Sequence, residues 1–123
     1  MNYTISPHPQ GSAEWRADRC GLATGSAIDA IFTKTAAGKP GAARADYCLQ
    51  LALERLTGAP EGNDFTSKEM EWGTEQEPFS RMAYETATGL MVHEAGFLYL
   101  THLKAGCSLD GFVDDGGRRG IWE

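Results

Sequence analysis

The sequence has no apolar run close to the roughly 18–20 residues needed to cross a bilayer, so a membrane-spanning role is not expected. Its opening stretch, Met1-Asn2-Tyr3-Thr4-Ile5-Ser6-Pro7, has neither a basic start nor an apolar core, and no secretory leader is expected. Cysteine is scarce. Cys20, Cys48 and Cys107 are odd in number and far apart, with no Cys-x-x-Cys pair. That pattern suggests neither a disulfide framework nor a zinc site, and all three read as reduced packing residues. Positive charge is short as well: 11 Lys and Arg stand against 17 Asp and Glu, a net charge of −6. A general nucleic-acid coat needs the opposite balance, because phosphate contacts call for a basic surplus. A metal-dependent enzyme remains open, since bound cations offset clustered carboxylates. These absences point to a soluble, cytoplasmic protein.

What remains is globular material, 41% hydrophobic and 23% charged. A length of 123 residues suits one domain over 1–123. No internal repeat or low-complexity tract is present. The first half reads as helices and the last third as short strands, an α+β order. Ser12 is placed to cap a helix running through Trp15 and Arg16 towards Arg19. A second helix is expected from Ser26 to about Thr33, and Ala36 to Ala42 reads as loop. A third, from about Arg44 to Thr57, carries Leu49, Ala52, Leu53 and Leu56 at i, i+3, i+4 and i+7. That spacing predicts one buried face, with Gly58 and Pro60 as stop signals. Gly62-Asn63-Asp64 reads as a turn. Ser67 is a cap for a fourth helical region reaching about Thr88, within which Pro78 should kink the helix or mark a fresh start near Thr74.

Beyond Gly89 the pattern changes. Leu90 to His93 and Phe97 to Leu100 have strand length. Cys107 to Val113 and Gly120 to Glu123 flank Asp114-Asp115-Gly116-Gly117, a hairpin turn signal in which both aspartates read as turn residues. An aromatic β-segment at the very end, Ile121-Trp122-Glu123, would be expected to continue into more strand, and a truncated sheet is expected.

Three acidic positions are candidates for metal chemistry. Asp110 and Glu123 fall on either side of the expected hairpin, which would bring their carboxylates to one edge. Carboxylates so placed repel unless a cation lies between them, and hard cations such as Mg²⁺ prefer oxygen ligands. Glu77 is the third, on the preceding helix. Each has a plainer reading: Glu77 completes a capping box with Thr74, Asp110 is a turn residue before Gly111, and Glu123 is solvated. His8, His93 and His102 show no ligand spacing and read as surface or packing residues. Arg19 and Ser26 form a second candidate. Thr24-Gly25-Ser26 opens the second expected helix, where backbone N–H groups could meet phosphate and Arg19 could add a bidentate contact. The alternative is a helix cap beside a surface arginine.

Taken in order, four segments resemble the YqaJ-like viral recombinase family, to which phage lambda exonuclease is related. They are Ser12-x-x-Trp15-x-x-x-Arg19-x-x-x-x-Thr24-x-Ser26, Trp72-Gly73-x-x-x-Glu77, Tyr84-Glu85-x-x-x-Gly89, and Cys107-Ser108-x-Asp110-Gly111 leading to Glu123. The resemblance implies the restriction-endonuclease-like PD-(D/E)XK fold, with helices flanking a mixed sheet. It implies Mg²⁺-dependent digestion of duplex DNA from 5′ ends in phage-type recombination, with Mn²⁺ as a substitute metal. Asp110, Glu123 and Glu77 match the catalytic, metal-binding acidic positions. Arg19, Ser26 and Ser108 match positions that engage the terminal 5′-phosphate. The implied partners are duplex DNA ends, a single-strand annealing protein and further copies of the chain, in a bacterial host cell with a phage or prophage origin. Two other readings stand beside the enzyme. One is a non-catalytic DNA-end-binding module; the other is a partner-docking domain using the leucine face of the third helix.

The family signature ends Glu-x-Lys, and this sequence stops at its Glu. The missing Lys orients the attacking water in the family, so residues 1–123 alone are expected to be inactive as a nuclease. Sequencing the source DNA past the Glu123 codon tests this directly. The expected result is one residue, then Lys, then a long further reading frame. A stop codon there would favour the end-binding reading.

Overall fold

The computed structural model describes residues 3–62 and 67–123, which group into two compact units: residues 3–61 with 96–108, and residues 62 and 67–95 with 109–123. The expected turn at Gly62-Asn63-Asp64 lies largely outside the described residues.

The first unit begins with strand β1 (Thr4–Ile5) and helix α1 (Ala13–Arg19). Ser12 caps α1 as its sequence position implied: its hydroxyl accepts from Trp15 N at 3.1 Å. Strand β2 (Ala23–Thr24) leads into a 3-10 turn, Gly25–Ala27, and then helix α2 (Ile28–Phe32). The single helix expected from Ser26 is therefore split into a tight turn and a five-residue helix. Helix α3 (Ala42–Thr57) ends at Gly58, whose φ of 69° is the left-handed cap that a side chain resists. Strands β4 (Phe97–Leu100) and β5 (Ala105–Ser108) complete a mixed sheet of order β1-β4-β5-β2. The β1–β4 and β4–β5 pairs are antiparallel, and β2 runs parallel to β5. The two short strands β1 and β2 come from the half that reads as helical. They are too short to show any alternation, so periodicity could not reveal them. Phe97 is fully buried and stacks on Tyr99 at 5.8 Å between ring centroids, with Trp15 and Tyr47 also in the core.

Helix α3 corrects the clearest sequence expectation. Its apolar stripe is not buried: Leu49 is 62% exposed, Leu53 41% and Leu56 84%, and Ala52 is exposed too. The face that packs inward is Tyr47, Gln50, Leu51 and Glu54, also at i, i+3, i+4 and i+7. Polar groups occupy it because they serve backbone that has no ladder partner. Glu54 is 6% exposed, and its carboxylate accepts from Gly21 N at 2.6 Å, Glu61 N at 3.0 Å and Gln50 Nε2 at 3.0 Å. Arg55 Nε donates to Gly21 O at 2.7 Å. A buried carboxylate is tolerated when donors surround it in this way. Of the three thiols, Cys48 is exposed on α3 and does not pack, whereas burial raises the Cys20 pKa.

The N-terminal segment is fastened to α1 by a polar clasp. Ser6 Oγ donates to Asp18 Oδ2, and His8 Nδ1 lies 2.7 Å from the same oxygen. The Ser6 and His8 hydrogen bonds hold the Asp18 carboxyl below its ordinary 3.8.

In the second unit, helix α4 (Lys68–Thr88) is capped by Ser67, which accepts from Met70 N at 3.2 Å, and ends at Gly89 with φ 74°. It runs unbroken through Pro78, so the second start near Thr74 does not occur. Strands β3 (Val92–Glu94), β6 (Gly111–Asp115) and β7 (Arg118–Trp122) form an antiparallel sheet of order β3-β6-β7. Gly116 and Gly117, with φ 55° and 87°, make the two-residue turn between β6 and β7, a geometry that needs positive φ at both positions. Asp114 and Asp115 are strand residues paired with Arg119 and Arg118, rather than the turn itself. Residues 107–113 are not one strand: Leu109 and Asp110 separate β5 from β6, which belong to different sheets. Among the described residues no helix is long and apolar enough to cross a membrane.

Two outcomes follow for urea unfolding. Glu54→Ala strands the Gly21 and Glu61 N–H groups and should cost about 2–4 kcal/mol. Leu56→Ala, on the exposed stripe, should stay within about 0.5 kcal/mol of the parent. A buried leucine face would reverse that order. The Asp18 clasp adds a pH dependence. Its folded pKa lies below the unfolded value, so its stabilisation is complete above about pH 4 and is lost as the pH falls through the folded pKa. Asp18→Asn should therefore lose less stability than the parent between pH 5 and pH 2; equal acid sensitivity would show that the clasp contributes nothing.

Candidate functional site

Arg19 ends α1, and the fold holds its charge in an unusual setting. Its guanidinium lies 4.1 Å from the Trp15 ring centroid and 6.0 Å from that of Phe97, and Nη2 donates to Ser26 Oγ at 3.0 Å. Trp15 is only 8% exposed, and its Nε1 donates to Ser108 Oγ at 3.1 Å. One indole therefore carries Arg19 on its face and Ser108 on its edge. Through it, Arg19, Ser26 and Ser108, which are scattered along the sequence, form one cluster within the first unit.

Burial pulls the Arg19 pKa below its ordinary 12.5, with Tyr47 and Glu54 acting in the opposite sense. A guanidinium nonetheless keeps its proton in a protein. Among the described residues no carboxylate lies within ion-pair distance of it. A half-buried cation that packs on an aromatic face and, among the described residues, bonds only a hydroxyl has donors that could meet an external anion. The helix contributes less than its sequence position implied. Ser26 sits in a 3-10 turn ahead of a five-residue helix, so the cluster rests on side chains and not on a developed helix terminus.

The acidic candidates belong to the second unit. Gly111 and Trp122 form the last rung of the β6–β7 ladder, and Asp110 and Glu123 are the residues just beyond the two strands at that end. The hairpin thus carries both carboxylates to one end, as the spacing predicted. Glu77 is in mid-helix, because α4 starts at Lys68 under the Ser67 cap, and the capping-box reading of Thr74 and Glu77 falls. Its Oε1 lies 3.5 Å from Arg81 Nη2, while Arg81 Nη1 contacts Glu94 Oε1 at 3.2 Å. Among the described residues no three His, Cys, Asp or Glu side chains gather closely enough to hold a metal. The Asp110–Glu123 pair still has the right donor chemistry, because Mg²⁺ is commonly held by one or two carboxylates, with water and substrate phosphate completing its shell.

Sequence reasoning missed Tyr47. Its hydroxyl accepts from Thr24 N at 3.0 Å, next to the turn that presents Ser26. The only signal was its place on the i, i+3, i+4, i+7 face with Glu54, which the leucine stripe outweighs.

The family model of the YqaJ-like viral recombinase domain matches residues 14–123. The chain belongs to the YqaJ-like viral recombinase family. Solved structures similar to it include two of an alkaline exonuclease. The alkaline exonuclease LHK-Exo from Laribacter hongkongensis is 37% identical, with a TM-score of 0.65. LHK-Exo in complex with dAMP is 36% identical, with a TM-score of 0.67. Each match covers 85% of this chain and 49% of the other, so the chain spans about half the length of these exonucleases. Among proteins with curated descriptions there is no match. The α+β fold is therefore that of the family's nucleases, and the sequence resemblance is borne out across nearly the whole chain.

Proposed function

We propose that the protein is a metal-dependent exonuclease that digests duplex DNA from 5′ ends, and that this chain supplies its terminal-phosphate cluster and part of its metal site. The observation that carries the reading is Arg19: a half-buried guanidinium, stacked on Trp15 and bonded to Ser26, with no carboxylate at ion-pair distance among the described residues. A terminal phosphate is the anion that fits it. Two charges and several acceptor oxygens suit a planar donor flanked by hydroxyls. Ser26 and Ser108 supply those hydroxyls. A nuclease relative that has been crystallised with dAMP, a nucleotide ending in a phosphate, supports the same substrate class.

Asp110 and Glu123 are the residues that would hold Mg²⁺, or Mn²⁺ in its place, with Glu77 as the further acidic position. When bound, the metal supplies charge neutralisation on the phosphate and an activated water. The chain's own part is to hold the strand end: Arg19 and the two serines fix the phosphate, and the rigid Trp15 keeps their spacing. The net charge of −6 does not oppose this, because reading a strand end needs one local cation site and not a basic coat. Residues 1–123 by themselves are proposed to lack turnover.

A second reading, a non-catalytic DNA-end-binding module, draws on the absence of a three-donor cluster among the described residues. Titration calorimetry with Mg²⁺ and Mn²⁺ on the full-length protein, run beside a duplex digestion assay, separates the two. The exonuclease reading predicts metal binding and nucleotide release in the parent and loss of both in Asp110→Ala. Tight end binding with no metal uptake and no nucleotide release would establish the module instead.

A further inference from the structure

Strand β2 is the edge of the four-stranded sheet, and its two residues lead directly into the turn that carries Ser26. The inner side of this edge faces β5: Ala23 pairs with Ala105, and its N–H donates to the carbonyl of Lys104, just before that strand, at 2.8 Å. The outer N–H, at Thr24, meets no strand among the described residues. The Tyr47 hydroxyl takes it at 3.0 Å, from a side chain only 9% exposed. Beyond that bond the contacts run on as hydroxyls. Tyr47 Oη lies 3.5 Å from Thr24 Oγ1, Thr24 Oγ1 lies 3.3 Å from Ser26 Oγ, and Ser26 Oγ accepts from Arg19 Nη2 at 3.0 Å. Because Arg19 donates to Ser26, the Ser26 proton is available to Thr24 Oγ1 or to a phosphate oxygen.

We propose that Tyr47 is a positioning residue for the terminal-phosphate cluster, acting through Thr24 to set where Ser26 stands opposite Arg19. The inference rests on the phosphate reading of Arg19 and Ser26 given above. It adds a residue from helix α3 that lies outside all four segments of the family resemblance. A phenol suits the task because it accepts from a backbone N–H and packs its ring in the core at the same time, with few torsions to freeze. The Gly21 end of the same segment is held separately by Glu54 and Arg55. Tyr47 is therefore left with the Thr24 end, next to the site.

The test uses the full-length protein and reads the ratio of kcat/KM on 5′-phosphoryl ends to that on 5′-hydroxyl ends of the same blunt duplex. Tyr47→Phe keeps the ring and deletes the acceptor, and should lower this ratio roughly three- to tenfold, the worth of one hydrogen bond. Combined with Ser26→Ala it should lower the ratio no further than Ser26→Ala alone, since coupled residues are not additive. A purely structural role would depress both substrates alike, leave the ratio unchanged and overturn the proposal. Arg19→Ala separates the two levels of the argument. If it collapses the ratio while Tyr47→Phe does not, only the Tyr47 assignment fails; if it leaves the ratio intact, the phosphate reading fails and takes the assignment with it. Should Tyr47→Phe not fold, Thr24→Val breaks the hydroxyl chain one step later and is held to the same outcomes.

Discussion

The buried polar face of α3 is the constraint on which the Arg19–Ser26 cluster depends. The segment from Gly21 to Thr24 joins Arg19 to Ser26, and only two of its residues are in a strand. Left alone, it would place the two functional groups loosely. Glu54 and Arg55 clamp Gly21 from both its N–H and its carbonyl, and Tyr47 takes the N–H of Thr24. A helix that spends its buried face on backbone hydrogen bonds gives up apolar burial there, yet each bond also removes an orphan donor or acceptor that would be costly in the core. Precision at the site comes from this arrangement, since a functional group is only as well placed as the side chains that support it.

Trp15 plays the corresponding part from the other side. It is buried, it receives the Arg19 cation on its face, and it bonds Ser108 at its edge. A cation partly removed from water, with no carboxylate at ion-pair distance among the described residues, is held at some energetic disadvantage. In the proposed reading an incoming phosphate would relieve that disadvantage, even though the chain's overall charge is negative. Net charge describes the whole surface and leaves room for one locally cationic corner.

Much of this was legible beforehand, for identifiable reasons. Capping chemistry is local, so Ser12 and Ser67 marked their helices correctly, and Gly58 and Gly89 ended theirs. Gly116-Gly117 fixed the hairpin register that carries Asp110 and Glu123 to one end. The grouping of Arg19, Ser26 and Ser108 was foreshadowed by family resemblance, while the indole that joins them had no role that spacing could reveal. What failed was the assumption that apolar periodicity names the buried face. On α3 two faces share the same spacing, and the polar one is buried because backbone groups elsewhere in the chain need its hydrogen bonds. That need is set by tertiary structure and leaves no periodic trace. Strands β1 and β2 were invisible for a related reason: a two-residue strand exists only through its partner.

Equilibrium binding in the absence of divalent metal tests the central claim most directly, because it removes turnover and leaves recognition of the strand end alone. The full-length protein would be titrated with blunt duplexes that differ only in a 5′-phosphoryl or 5′-hydroxyl terminus, with Arg19→Ala as the comparison. The account predicts tighter binding of the phosphoryl duplex by the parent and no difference between the two duplexes for Arg19→Ala. Equal affinity of the parent for both ends would contradict it.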